Sequence, residues 1–257
     1  MSMIAMCVYC TETNDRAKYA IQSLESLSKT VDFDKHRLIL IINSSNDQIE
    51  GHINRAKKEL KATIIRPNEN IGTARGINLA LAMRVPGEYC TKADEDVVWE
   101  QSGWLDEMED VLNRDNTIGI VGAKRKDIDF DPNHENPAYR SQLIMLSHQP
   151  GESWITVEKG PQIMGTCTMF NWRLLDKVGF LKQPSPFYSL EDTLISLRSE
   201  LAGFWNCYLP HIKINHIDDG SNPYTQVKHQ QAAESWHEYT KLHEAYCNGT
   251  RSLYEEI

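Results

Sequence analysis

The chain has 257 residues, of which 40% are hydrophobic and 25% charged, enough apolar content for one large α/β domain or two small ones and too much for a disordered chain. A net charge of -9 excludes a surface that attracts nucleic acid over its whole extent, because such binding sets Lys and Arg against phosphates. No stretch reaches the roughly 18 apolar residues of a membrane span, and the apolar start lacks the basic flank and cleavage site of a signal peptide, so no membrane span and a cytoplasmic location are expected.

Met3 to Cys10 reads as a first strand, and Asp15 to Leu27 as a helix with Ala17, Ala20, Ile21, Leu24 and Leu27 at three- and four-residue spacing. Leu38 to Ile42 is an apolar run too short for a helix and rich in β-branched residues, as in a strand buried on both faces. A helix from Gln48 to Leu60, a strand from Ala62 to Arg66 and a helix from Thr73 to Met83 follow. Pro86-Gly87 then breaks the chain before a strand that ends in Asp94-Glu95-Asp96. This alternation predicts right-handed crossovers and a mostly parallel, doubly wound sheet, with ligands at the carboxyl ends of the strands, where Thr11, Asn43 and the acidic triplet fall.

Further on, Gly103 to Leu112 reads as a helix, Ile118 to Ala123 and Gly165 to Phe170 as strands, and Glu191 to Leu201 as a helix ended by Gly203. Asp127 to Pro150 reads as a long polar loop. The last element, from Gln226 to Tyr246, carries Val227, Ala232, Trp236, Tyr239, Leu242 and Tyr246 at helical spacing, which predicts an amphipathic helix with its aromatics in the core. Six scattered cysteines predict reduced thiols; Cys7 and Cys10 form one C-x-x-C with no second pair, and residues three apart on a strand face opposite sides. Lys124-Arg125-Lys126 is the one local basic patch that keeps a nucleic acid partner open.

The acids carry the chemistry. Strand alternation would point Asp94 and Asp96 the same way, and two hard oxygen ligands at a strand end suit Mg2+ or Mn2+, which keep further positions open for substrate phosphates. Glu191-Asp192 opens a helix about a hundred residues later, where acids complement the helix dipole and remain available as a general base.

In this order the motifs resemble family 2 glycosyltransferases of the GT-A fold, from about residue 4 to about residue 217. Thr11 to Arg16 with Ser23-Leu24 is similar to the family's first loop and helix; Asn70-Ile71-Gly72-Thr73-Ala74-Arg75-Gly76-Ile77-Asn78 matches N-x-G-x-A-x-x-x-N; Asp94-Glu95-Asp96 matches D-x-D. Lys177 to Leu181, Leu190-Glu191-Asp192-Thr193, Arg198, Ala202-Gly203 and His216 resemble its acceptor-side block. The resemblance implies a single GT-A domain: a mostly parallel sheet flanked by helices, with a small additional sheet and a C-terminal helix. Residues 1-100 would bind the nucleotide sugar, 101-220 would face the acceptor, and 221-257 would form a helical tail.

It further implies nucleotide-sugar contacts from Thr11, Glu12, Asn43, Asn70, Gly72, Asn78, Asp94 and Glu95. A divalent cation, Mn2+ or Mg2+, would sit on Asp96, with Asp94 and His216 as further ligands. Asp192 would be the base, supported by Glu191, of a metal-dependent inverting transfer from a nucleoside-diphosphate sugar. The partner on the other side is an unassigned acceptor: saccharide, protein, small molecule or modified DNA. Two departures stand out. Ile42-Asn43 replaces the aspartate that reads uracil, with Asp47 only later, and Thr193-Leu194 removes the second aspartate of E-D-x-D. Two rivals remain open. A nucleotidyltransferase would need a glycine-rich basic loop after the first strand, and Cys10 to Arg16 has no glycine. A non-catalytic nucleotide-sugar-binding module would keep the fold without turnover.

Overall fold

The computed structural model describes residues 1–128, 142–147, 153–185, 187, 190–221 and 224–257. Ten strands form one sheet: β1 (Ser2–Tyr9), β2 (Arg37–Ser44), β3 (Thr63–Ile65), β4 (Tyr89–Ala93), β5 (Val97–Trp99), β6 (Ile118–Arg125), β7 (Gln142–Leu146), β8 (Ile155–Lys159), β9 (Cys167–Phe170) and β10 (Trp205–His216). The described helices are α1 (Ala17–Thr30), α2 (Asp47–Glu59), α3 (Thr73–Leu81), α4 (Trp104–Arg114), α5 (Trp172–Val178), α6 (Glu191–Leu201) and α7 (Tyr224–Cys247). Strand order is β3-β2-β1-β4-β9-β6-β10-β8-β7, with β5 paired to β10. The β3-β2-β1-β4 half is parallel throughout, and β9 is an antiparallel insertion between β4 and β6.

Alternation along the central strands assembles both cores. In β2, Leu38, Leu40 and Ile42 join one cluster while Ile39 and Ile41 join the other; in β1, Ile4, Met6 and Val8 oppose Met3 and Ala5. The first face is covered by α1, α2 and α4 through side chains such as Leu24, Leu27, Ile53, Trp104 and Met108, and the second by α3, α5 and α6 through Ile77, Leu81, Leu174 and Ile195. Each fully buried Leu or Ile stabilises the fold by about 1.5–3 kcal/mol, so a run such as Leu38–Ile42 anchors the sheet centre. Cys7 packs with the second cluster and Cys10 with the first, and all six thiols are free.

Several expectations are corrected here. The additional β-structure is continuous with the main sheet, because the 12-residue β10 is long enough to pair with β6, β8 and β5 at different points, its register with β6 jumping between Leu209 and Lys213. The stretch read as one loop from Asp127 to Pro150 contains β7; residues 129–141 and 148–150 lie outside the described residues. In α7 the expected core face holds for Leu242 and Tyr246, which meet Leu194 of α6, but Val227 is 43% and Trp236 60% exposed. The helix packs on α6 through its second half, while its first turns lean over the carboxyl edge of the sheet. Tyr239 is half-buried against the cluster of Leu194, Leu242 and Tyr246, and the rings of Trp236, Tyr239 and His243 run outward from it with centroids 5.2 and 5.8 Å apart. Among the described residues, no helix is long and apolar enough to cross a membrane.

Candidate active site

The acidic triplet is a turn between β4 and β5, not the end of a strand. β4 stops at Ala93, where the Asp94 amide donates to the Thr166 carbonyl (2.9 Å), and β5 starts at Val97. Freed from alternation, all three residues line one open cleft at the carboxyl edge of the sheet. Antiparallel pairing of β5 with β10 places His216 opposite Val97, and the Ile217 amide donates to the Asp96 carbonyl at 2.9 Å. His216 Nε2 thereby comes within 3.6 Å of Asp96 Oδ1.

A buried guanidinium fixes this turn. Arg16, just before α1, donates from Nε to Glu95 Oε1 (2.6 Å), from one terminal nitrogen to Asp96 Oδ2 (2.7 Å) and from the other to Asp218 Oδ2 (2.7 Å). Glu95 Oε2 accepts the Tyr9 amide at 2.6 Å, so Glu95 spends both oxygens inside the protein. Asp96 is 2% exposed, and its Oδ1 has no hydrogen-bond partner. Burial alone would raise its pKa, but Arg16, His216 and Lys228 outweigh it and hold the carboxyl below its usual value. Glu95 is pushed up by burial despite Arg16. From α7, Lys228 pairs with Asp218 (2.9 Å), and the Tyr224 ring packs on Tyr9 with centroids 5.4 Å apart.

Opposite this group lies the start of α6. Leu190, its N-cap, has φ 63°, a left-handed conformation unfavourable for leucine, and it sets the entry of Glu191 and Asp192 into the cleft. Asp192 Oδ2 accepts the Gly165 amide (3.0 Å) and Oδ1 the Thr193 amide (2.8 Å). Between the two acid groups Lys92, on the fully buried β4, donates to Asp94 Oδ1 and to the Gly165 carbonyl, each at 2.5 Å, and lies 3.7 Å from Glu191 Oε1. Burial opposes its charge, but Asp94 and Glu191 outweigh burial and keep it protonated.

Glu191 is 5% exposed, and burial, reinforced by Asp192 and opposed by Lys92, pushes its pKa from 4.5 up to about 7. A carboxyl whose folded pKa exceeds its unfolded value binds more protons in the folded state, so its contribution to stability falls as pH rises from 4.5 to about 7. Thermal melts of Glu191→Gln against the parent should therefore diverge across that window, with the glutamine variant the more stable above it. A gap that stays constant with pH would contradict the assignment.

Of the residues expected from the sequence, Asn43, Asn70, Asp94, Glu95, Asp96, Glu191, Asp192 and His216 line the cleft. Thr11, Glu12, Gly72 and Asn78 are not among its lining residues. Glu12 is exposed on the first loop, and the Thr11 amide donates to Asn14 Oδ1 (3.0 Å). Gly72, at φ 83°, provides the turn into α3, its carbonyl accepting from Asn43 Nδ2 (3.2 Å) and its amide donating to Asn70 Oδ1 (2.9 Å). Asn78 clamps the Leu181 backbone, donating to its carbonyl (3.0 Å) and accepting its amide (2.9 Å), a structural tie away from the cleft. The basic patch is internally neutralised: Lys124 pairs with Glu158 (2.8 Å), Arg125 with Asp127 (2.5 Å) and Lys126 with Glu100 (2.7 Å).

Arg16, Lys92, Gly165, Tyr224 and Lys228 were not singled out by sequence reading. Lys92 carried a usable signal, since a lysine inside a buried apolar strand is almost never found unpaired. Arg16 sat in a quoted motif, but nothing in the sequence ties it to Asp218.

A mostly parallel sheet wrapped by helices, with a turn of acids and a facing helix of acids at its carboxyl edge, is the GT-A glycosyltransferase architecture. The family model "Glycosyl transferase family 2" matches residues 4–179, and the chain belongs to that family and is a glycosyltransferase. Among solved structures it is similar to the mannosyltransferase PcManGT from Pyrobaculum calidifontis in complex with GDP-Man and Mn2+, at 16% identity and TM-score 0.61, over 97% of this chain and 74% of that one. It is also similar to TarS 1-349 of S. aureus in complex with UDP, at 14% identity and TM-score 0.63, over 96% of this chain and 65% of that one. A third neighbour is GalNAc-T7 with UDP, GalNAc and Mn2+, at 12% identity and TM-score 0.60, over 84% of this chain and 43% of that one. No curated protein matches the chain.

Proposed function

We propose that the cleft binds a nucleoside-diphosphate sugar and a divalent cation, and transfers the sugar with inversion to an acceptor hydroxyl deprotonated by Asp192. One observation carries this reading: a buried carboxylate oxygen, Asp96 Oδ1, is left without a hydrogen-bond partner and faces His216 Nε2 at 3.6 Å. Such an orphan is expensive unless something else satisfies it. An oxygen and an imidazole nitrogen suit Mn2+ or Mg2+, and a cation that takes its other ligands from a diphosphate needs only one or two from the protein. Among the described residues there is no ready group of three or more His, Cys, Asp or Glu, so Asp96, Asp94 and His216 do not form a preassembled three-ligand cage. Bound there, the cation would act as a Lewis acid on the departing diphosphate.

The chain's own residues do the rest. Arg16 fixes Asp96 by occupying Oδ2, which leaves Oδ1 beside His216. Asn43 and Asn70 brace the wall that would face the nucleoside, and Asp94 would meet the ribose or share the cation. Asp192, held by two backbone amides, faces the cleft from the opposite side and takes the acceptor proton, with Glu191 beside it as support. Direct displacement with a single base inverts the anomeric centre. In this reading residues 1–100 supply the donor half and 101–220 the acceptor half, while the tail adds Tyr224 and Lys228 to the wall. The free thiols suit a reducing compartment, which favours the cytoplasm. The internally paired basic patch gives no support to a DNA acceptor, leaving a saccharide, protein or small molecule.

The test is a panel of nucleotide sugars with Mn2+ or Mg2+, following nucleoside diphosphate release. Turnover is expected with at least one donor and lost with a chelator. Asp96→Asn should weaken cation-dependent nucleotide binding by about 100-fold, the scale of one metal contact worth several kcal/mol. Triphosphate consumption would support a nucleotidyltransferase instead, and binding without release a non-catalytic module.

A further inference from the structure

Resting on the reading above, we infer that Lys92 is a positioning residue that couples the donor-side acids to the proposed base through a single backbone unit, Gly165. Its ammonium donates to Asp94 Oδ1 and to the Gly165 carbonyl, and the amide of the same Gly165 donates to Asp192 Oδ2. The path Asp94–Lys92–Gly165–Asp192 thus joins the turn after β4 to the start of α6. These segments are remote in sequence, and each carries one of the two reacting ends.

Packing does not demand a lysine at this position. β4 is buried along its whole length between β1 and β9, and a methionine would fill the same strand slot without the desolvation penalty of an ammonium. A buried charge that is replaceable for packing, yet is satisfied on one side by a donor-side acid and on the other by the backbone that holds the base, belongs to the geometry of the site. Gly165 is built for the same purpose. A Cβ there would lie 3.0 Å from Lys92 Nζ and 3.1 Å from Asp192 Cβ, so an added methyl obliges these two side chains to give by a few tenths of an ångström.

The experiment compares Lys92→Met, Lys92→Arg and Gly165→Ala with the parent by kcat and donor KM, alongside cation-dependent nucleotide binding and melting temperature. Lys92→Met should lower kcat by about 100-fold, the penalty of roughly 1 Å misplacement of a reacting group, while donor KM changes far less. Lys92→Arg, which keeps the charge, should recover part of kcat, and Gly165→Ala should reproduce the kcat loss while still binding nucleotide. Lys92→Met with parental kcat, or with a loss confined to donor KM, overturns the inference. So does Gly165→Ala with parental kcat, which also decides the matter if Lys92→Met does not fold. The two readings fail separately. If Asp96→Asn binds nucleotide as the parent does, the site assignment is wrong; if Asp96→Asn is impaired while Lys92→Met is fully active, only the coupling is wrong.

Discussion

Replacing Asp192 with asparagine should lower kcat by about 100- to 10000-fold, the range contributed by a positioned general base, with little change in donor KM. The reason lies in how the side chain is held. Oδ2 accepts the amide of Gly165, 27 residues away, and Oδ1 that of the adjacent Thr193, so the carboxylate is oriented by one distant and one local backbone donor. An asparagine keeps the size and one carbonyl oxygen but turns its amino group toward one of those donors and has no proton acceptor of adequate basicity. Nucleotide binding, made on the opposite wall, should persist. Steady-state kinetics with calorimetric nucleotide binding checks both halves, and equal losses in binding and turnover would remove Asp192 from the chemical step.

The largest stability effect is expected at Arg16. Arg16→Met leaves Asp96 and Glu95 buried without their guanidinium and takes one of two cations from Asp218. Breaking a buried ion pair by deleting one partner costs about 3–5 kcal/mol. At about 2–4 °C per kcal/mol for a chain of this size, melting should fall by roughly 6–20 °C at neutral pH. The sign with pH follows from the carboxyls. In the parent, Asp96 and Asp218 titrate below their ordinary value of 3.8, which stabilises the fold above that pH and is lost as pH falls through their folded values. Without Arg16 those carboxyls titrate higher and can be buried neutral. The gap between parent and variant should therefore narrow as pH falls from neutral toward the ordinary carboxyl value of 3.8, and a gap that widens would refute the account.

How much of this was legible in the sequence depended on whether the signal was local. Alternating burial in β1 and β2 and the three- and four-residue spacing of α1 are local properties, and the elements found agree with those readings to within a few residues. The start of α6 at Glu191 was read correctly from its paired acids. β10 was not found: Pro210, His211 and Lys213 interrupt its apolar run, and its strand character comes from pairing with three partners that only the fold supplies. The acidic triplet was found for a reason that proved incomplete. Its carboxylates are placed by a turn, with Arg16 holding Glu95 and Asp96 and Lys92 holding Asp94, not by strand alternation. Asn78 fits the motif by position, yet its amide is tied to the Leu181 backbone, a distinction no spacing could make.

The three acceptors of Arg16 lie 79, 80 and 202 residues further along the chain, so one side chain near the beginning waits for a partner near the end. The ion cluster therefore closes only when segments 202 residues apart have come together, so it works as a long-range clasp that reports completion of the tertiary fold rather than of any local element.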